Sequence, residues 1–472
     1  MMISTLLMAA VLFPQDGTQE AKPASPTPSA QHKGGLLAIR VGRAETAAKG
    51  AIEHAVILVE DGKIVTIGED LPIERGIPVL DKPDWVAMPG LVDAYSRLGL
   101  EGEGGDDNSP DARASNEVYA GAEEYEKLVE YGVTTLGLYP PGNGIPGQAV
   151  AIRPVGKTPA DMTVEDPAYL KIILRATQSS KKLLKDGFKK ADEHAEKEKK
   201  AREKWEKDQE AKKKKAAPKK DEKKDEKGAE KKDEKKDDEK KEEEKKDDKG
   251  DAPEKEAGKK DEKSGGKEDT FVPPQPEPKV KPFVDLRSGK LRALVSITNA
   301  AEYLHLLDAL DKEKIDFDLR IPMSREIDVF YVADKKAYDL EVDGIGDRKC
   351  RVVIEPVLTL HPGTMRQRNP AMELARAGAK VVFIPRNDVL PDFKAWLPHV
   401  GEVVAAGLDR DTAIKAVTIE PAAVLGVDDR LGSLEKGKDA NLVFFSGDPF
   451  EPSSRIQAVM IEGRFVFGEV NL

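Results

Sequence analysis

Few side chains in this sequence are suited to chemistry, and their spacing narrows the field further. Six histidines and one cysteine are spread over 472 residues. His361 is the histidine best placed for a role, because LTLHPGT sets it just beyond a strand; a plain loop contact is the other reading. His32 lies in a polar start, His54 in a β-rich stretch and His194 in a charged helix, while His305 and His399 fall in helical patterns where packing or surface explains them. The run EGEGGDDNSPD offers Glu101, Glu103, Asp106, Asp107 and Asp111 as oxygen donors for a hard cation, but its spacing matches no EF-hand loop and a solvated acidic loop accounts for it. PPGNGIPGQ is glycine-rich without a G-x-G-x-x-G pattern or a Walker lysine. Cys350, in the strand-like CRVVIEPVL, reads as a core thiol. A lone cysteine excludes an intramolecular disulfide framework and any cysteine cluster for zinc or iron–sulfur.

The charge distribution removes further classes. Charged residues make up 35% of the chain, and residues 189–270 alone carry 31 Lys/Arg and 30 Asp/Glu. The remainder is mildly acidic, so the basic footprint that phosphate-backbone binding requires is missing and nucleic acid is not an expected partner. No apolar run reaches the roughly 18 residues needed for a bilayer span. The longest, ISTLLMAAVLF at 3–13, has the length of a signal-peptide core and precedes a Pro/Ser/Ala-rich spacer, so export to the periplasm or extracellular space is expected; a disordered start is the alternative.

The elements that must position these residues follow from apolar periodicity. Residues 36–70 alternate apolar and polar, with turn signals at Lys49-Gly50 and Asp61-Gly62, which predicts a small antiparallel unit with a hairpin at EDGKI. WVAMPGLVDAYSRLGL reads as one buried strand entering a loop, SNEVYAGAEEYEKLVEYG as a helix capped by Ser115, and VTTLGLYPP as the next strand. That alternation implies a parallel sheet with helical crossovers. AYLKIILRATQSSKKLLKDGF, residues 168–188, has a helical pattern that runs on into a stretch with almost no apolar face, ending at Pro218. The polyampholyte after it cannot bury enough apolar surface to offset its ordering entropy and reads as a disordered insert. Strands are expected at LRALVSITN, FDLRIPM, CRVVIEPVLTL and VVFIPRND, with helices at AAEYLHLLDALDKE, AMELARAGAK, 393–407 and 409–426, and a β tail closes the sequence.

The hairpin EDGKIVTIGED followed by VAMPGLVDAYSRLGL, together with TIEPAAVLGVDDRLGSLEKGKDANLVFFSGDPF near the C-terminus, resembles the amidohydrolase superfamily, particularly its imidazolonepropionase-like and dihydroorotase-like branches. The resemblance implies an α/β fold: a (β/α)8 TIM-like barrel plus a small β-sandwich-like domain built from both chain ends, carrying the long charged disordered insert. The corresponding division is 1–33 as signal peptide or disordered start, 34–84 and 428–472 as the composite β domain, 85–188 and 270–427 as the barrel, and 189–269 as the insert.

The resemblance also implies hydrolysis of cyclic amides or related C–N bonds by water activated on one or two divalent metals held by neutral imidazoles. The family's first two ligands form an H-x-H after the first strand, where Tyr95 and Arg97 stand here. Arginine stays protonated and cannot ligate a cation. Ser296 occupies a later histidine position, the next histidine is missing between His305 and His361, and only Asp388 matches the family's metal-binding aspartate. Two readings follow: a degenerate protein with no metal or cofactor that binds a small ligand or a partner, or an active hydrolase with one divalent metal such as zinc on a reorganised site of Asp388, His361 and the acidic loop. In the first, Asp388 is the retained catalytic position, Tyr95, Arg97, Ser296, His361 and Arg386 are substrate-binding candidates, and Tyr95, Arg97, Arg386 and Asp388 form a salt-bridged plug. A small molecule is the expected partner, and a homo-oligomer is compatible with the sequence. A third reading makes the charged insert of an envelope protein the functional part. Replacing residues 214–268 with a short Gly/Ser linker should leave the melting temperature nearly unchanged; a loss of more than a few degrees would show that this segment packs.

Overall fold

A computed structural model describes residues 35–100, 102, 108–216, 270–323, 344–361 and 364–470. The proposed signal segment, four of the five acidic-loop carboxylates (Glu101, Glu103, Asp106 and Asp107) and the polyampholyte lie outside the described residues. The chain divides into two compact units, residues 1–191 with 276–472, and residues 192–275. In the second unit the Trp205 and Phe271 rings lie 5.8 Å apart, with the Arg202 guanidinium over Phe271.

The first sheet is built from strands of both chain ends. β1 (Leu37–Glu45), β2 (Ala51–Glu53), β3 (Ala55–Glu60), β4 (Lys63–Glu69) and β5 (Val79–Pro89) are joined by β18 (Leu442–Phe445), β19 (Ile456–Ile461) and β20 (Arg464–Phe467), in the order β20-β19-β18-β5-β1-β3-β4 with β2 beside β1. The β3–β4 turn has positive φ at both Asp61 and Gly62, the type I′ geometry that suits the right-handed twist of a hairpin. Glu462-Gly463 repeats it between β19 and β20, and the two tips abut: a Cβ on Gly62 would lie 2.9 Å from the Glu462 carbonyl oxygen. Because β18 seals the edge of β5, truncation after Asp439 should uncover that edge and cause aggregation. A soluble, cooperatively melting truncation would contradict this.

The run expected as one buried strand from Trp85 instead divides at Gly90, between β5 and β6 (Leu91–Ser96), and passes there from the first sheet to the second. Only glycine fits the crossing, since a Cβ would meet Thr134 Oγ1 at 2.1 Å. β6 pairs parallel with β7 (Val133–Leu138), which pairs antiparallel with β9 (Val150–Ile152); β10 (Thr163–Glu165) lies beyond. β8 (Gly147–Gln148) lies antiparallel to β11 (Tyr169–Ile173), and β11, β12 (Arg292–Ser296), β13 (Phe317–Arg320), β14 (Arg351–Ile354) and β17 (Lys380–Phe383) run parallel. β15 (Thr359–Leu360) and β16 (Gln367–Arg368) make a separate hairpin. Residues 147–152 therefore join the two sheets, reaching β7 through β9 and β11 through β8.

The fold is thus mixed α/β, but no ladder joins β17 to β6 among the described residues, so the sheets alone do not draw a closed ring. Val92, Ala94, Ala149, Tyr169, Leu294, Val353 and Val382, from both sheets, share one core with Ala422, Val424 and Leu425 around the helix Ile419–Val424.

Several boundaries differ from the expectations. The pattern at 168–188 starts as strand β11, and the helix Gln178–Ala216 begins only afterwards; in YLKII the β-branched isoleucines pack better on a pleated, buried surface than on a helix. The helix after β6 is Glu123–Glu130 and Ser115 does not cap it, because a 3-10 turn, Ala114–Glu117, intervenes. The two late helices each split, into Leu390–Lys394 and Trp396–Ala405, and into Arg410–Ala416 and Ile419–Val424. At the second break the Val417 carbonyl accepts a hydrogen bond from the Val92 N–H, which ties the helices to the foot of β6.

Candidate functional site

The parallel strands present a group of polar side chains at their C-terminal ends. Tyr95 and Ser96 close β6, with Arg97 just beyond; Tyr139 follows β7, Ser296 ends β12, Arg320 ends β13, Glu355 follows β14, and Asp388 lies on the segment after β17. Asp388 is the hub joining the ends of β6 and β17. Its Oδ1 accepts from Ser96 Oγ at 2.6 Å and its Oδ2 from the Arg97 main-chain N–H at 2.5 Å.

The expected salt-bridged plug does not form. The Arg97 guanidinium donates to the main-chain carbonyls of Gly102 and Tyr139, at 2.8 and 3.2 Å, and only its N–H reaches Asp388. Arg386 turns the other way, donating to the Pro356 carbonyl and pairing with Glu402 at 2.6 Å. The reason is local: a hydroxyl and an N–H from one turn already satisfy both carboxylate oxygens, so neither guanidinium is needed there. Tyr95 stacks on Tyr139 with ring centroids 4.0 Å apart. Ser296 Oγ is buried without a hydrogen-bond partner. His361 belongs to the β15–β16 hairpin, where its N–H donates to the Arg366 carbonyl. The structure thus brings Tyr95, Arg97 and Asp388 together, sets Ser296 on the strand beside Arg320, and turns Arg386 away from Asp388.

Residues the sequence did not single out complete the group. Lys171, 4% exposed on β11, places its ammonium 3.6 Å from the Tyr139 ring centroid and 5.3 Å from that of Tyr95. The Arg320 guanidinium lies 5.3 Å from the Tyr95 centroid and forms a buried pair with Glu355, which also accepts the Met323 N–H at 2.8 Å. Asp93 is fully buried; its Oδ1 takes the Tyr95 N–H while Oδ2 has no partner. A signal for Lys171, Arg320 and Glu355 existed, namely charges inside apolar strand runs (YLKII, FDLRI, VVIEP), with Asp318 beside Arg320 in the second, but the helical reading of 168–188 hid the first.

Burial dominates the electrostatics. It pushes the Asp93 carboxyl up to about 8, aided by the nearby Asp388 and opposed by the Tyr95 N–H and Arg320. Lys171 is pushed down to about 7, first by burial and then by Arg97 and Arg320. Burial also raises Asp388 against the hydrogen bonds from Ser96 and Arg97.

This donor set does not fit a divalent metal. The H-x-H positions carry a stacked phenol and a guanidinium, and two further cations, Lys171 and Arg320, flank the same ring. Among the described residues no three His, Cys, Asp or Glu side chains gather where a metal ion could be held.

Residues 374–466 match the amidohydrolase family model. An amidohydrolase from Thermotoga maritima MSB8 superposes with a TM-score of 0.65 at 19% identity, covering 92% of this chain and all of that one. An Xaa-Pro dipeptidase with bound methionine in its active site gives 0.48 at 12% identity, with 92% and 100% covered. No curated protein matches the sequence. Among the described residues no helix is long and apolar enough to cross a membrane.

Proposed function

We propose that this chain is an amidohydrolase-superfamily protein and forms a (β/α)8-type barrel whose mouth binds a small ligand without a divalent metal. Support for the barrel comes from eight strand positions in sequence, β6, β7, 147–152, β11, β12, β13, β14 and β17, and from the Asp388 hydrogen bonds that span the one gap without a ladder. The strands of both chain ends support a composite β domain over the expected 34–84 and 428–472, which β5 carries on to Pro89, with the barrel from 91 to 188 and over 270–427 and the insert over 189–269.

One observation carries the functional reading. The retained carboxylate, Asp388, is satisfied by Ser96 Oγ and the Arg97 N–H, while protein cations occupy the surroundings in which the family's chemistry needs neutral ligands. Repulsion from Arg97, Lys171 and Arg320 disfavours a divalent ion at the same strand ends. Such a mouth recognises a ligand through donors: below about pH 7 the Lys171 ammonium, below about pH 8 the protonated Asp93, and the Ser296 hydroxyl. Elemental analysis of the purified, untagged protein tests the reading. Substoichiometric metal after dialysis is expected; near-stoichiometric zinc, manganese or iron that resists dialysis would replace it with a metallohydrolase acting on C–N bonds.

A further inference from the structure

The charges at the strand ends do not balance. Glu355 matches Arg320 in a direct pair. Asp388 is held by a hydroxyl and a main-chain N–H, and the Arg97 guanidinium donates only to main-chain carbonyls. Lys171 is left without a carboxylate among the described residues; its neighbours are the rings of Tyr95 and Tyr139 and the two guanidiniums of Arg97 and Arg320. A cation 96% buried with no counter-charge is costly, and cation–π contact with two tyrosines offsets that only in part.

The strand register sets further donors on the same side. Lys171 pairs with Leu294 across β11 and β12, and Ser296, two residues on, pairs with Arg320 across β12 and β13. Side chains of paired residues share a face and alternate along a strand, so Lys171, Ser296 and Arg320 lie on one face, the face whose Leu294 and Val353 belong to the shared inner core. Ser296 Oγ is 91% buried by residue and unpartnered, an independent sign that something is missing from this face. Both Lys171 and Arg320 stand 5.3 Å from the Tyr95 centroid. The unsatisfied groups are thus an ammonium and a hydroxyl, with a second cation alongside.

We propose that the ligand of this mouth carries a single carboxylate, seated between Lys171 Nζ and the Ser296 hydroxyl with the Arg320 guanidinium alongside and the Tyr95–Tyr139 pair as its wall. The assignment rests on the ligand-binding reading above. With the Asp93 carboxyl holding its proton, three cations (Arg97, Lys171 and Arg320) face two carboxylates (Asp388 and Glu355), so one negative charge balances the group, and a planar carboxylate can accept from an ammonium and a hydroxyl at once. Binding restores a counter-charge to Lys171, so its ammonium form is held in the complex.

The test is a titration of the full-length protein with sodium acetate, benzoate and phosphate, sodium chloride at equal ionic strength as control, and neutral 2-pyrrolidinone, followed by calorimetry and by melting temperature. Saturable stabilisation by acetate or benzoate beyond that of chloride is expected, at least tenfold weaker in Lys171→Met and severalfold weaker in Ser296→Ala. Free Lys171→Met should melt at or above wild type, because it removes an uncompensated buried cation; Ser296→Ala preserves the test if the lysine variant misfolds. Carboxylates no better than chloride, phosphate favoured over both carboxylates, or affinities unchanged in both variants would overturn the proposal. Saturable 2-pyrrolidinone binding without a carboxylate response would overturn it while leaving a ligand-binding mouth in place, whereas tightly held stoichiometric metal would remove that reading itself.

Discussion

Asp93→Asn should be more stable than wild type at pH 8 by about 2–3 kcal/mol and equal to it near pH 4. Asp93 has no solvent exposure, and burial holds its proton up to about pH 8, whereas the same carboxyl in the unfolded chain loses its proton near 3.8. Between those values the folded protein binds one more proton than the unfolded, so stability falls as pH rises, by up to roughly 1.4 kcal/mol per pH unit. The full span of that window would give more; relaxation around a buried carboxylate and its coupling to Asp388 reduce the expected gain. Asparagine keeps the carbonyl that accepts the Tyr95 N–H and never ionises, so the slope disappears. Lys171 has the opposite sign. Its folded value is pushed down to about 7 against 10.5 unfolded, so above pH 7 the unfolded chain binds more protons and stability rises with pH. The two groups together place a minimum near pH 7–8. Urea unfolding of wild type and Asp93→Asn at pH 4, 6 and 8 measures this directly, and parallel pH profiles would show that Asp93 does not hold its proton in the fold.

That pair of groups also marks where sequence reading stops. Hairpins are legible because they are local: Asp61-Gly62 announces a positive-φ turn, and it forms one. Tyr95, Arg97 and Asp388 could be placed because the family resemblance aligns them with ligand positions at strand ends, and they do lie at or beyond the ends of β6 and β17. Which atom of Arg97 would reach Asp388 was not legible, since that depends on Ser96 Oγ and the N–H of the same turn meeting the carboxylate first. Lys171 was hidden by a period error. YLKII followed by a true helix reads as one continuous helical pattern, and only pairing with β12 fixes it as strand. Gly90 shows the reverse case, a run that reads as one strand but feeds two sheets, with Thr134 leaving room only for glycine at the crossing. Such facts live in tertiary packing, and a single sequence states the residues without stating their neighbours.

Glu355→Ala should destabilise the fold by about 3–5 kcal/mol, whereas replacing both partners together, Arg320→Met with Glu355→Leu, should cost far less than the sum of the single changes. Both side chains are only 9% exposed, and they meet through two guanidinium nitrogens and both carboxylate oxygens. Removing Glu355 alone strands a buried guanidinium and the Met323 N–H, whose acceptor was Glu355 Oε2. Glu355→Gln keeps an acceptor for that N–H and loses only the charge, so it should fall between wild type and Glu355→Ala. The pair also bears on the neighbouring ammonium, because burial first, then Arg97 and then Arg320 hold Lys171 below its ordinary range. Without Arg320, Lys171 should titrate closer to an ordinary lysine, and the rise in stability above pH 7 should shrink. Guanidinium unfolding of wild type, Arg320→Met, Glu355→Leu and the double variant at pH 7 and pH 9 reads both effects in one cycle. Additive single-variant losses would mean that Arg320 and Glu355 do not act as a buried pair, and an unaltered high-pH slope in the double variant would mean that Arg320 adds nothing to the lowering of Lys171 by burial and Arg97.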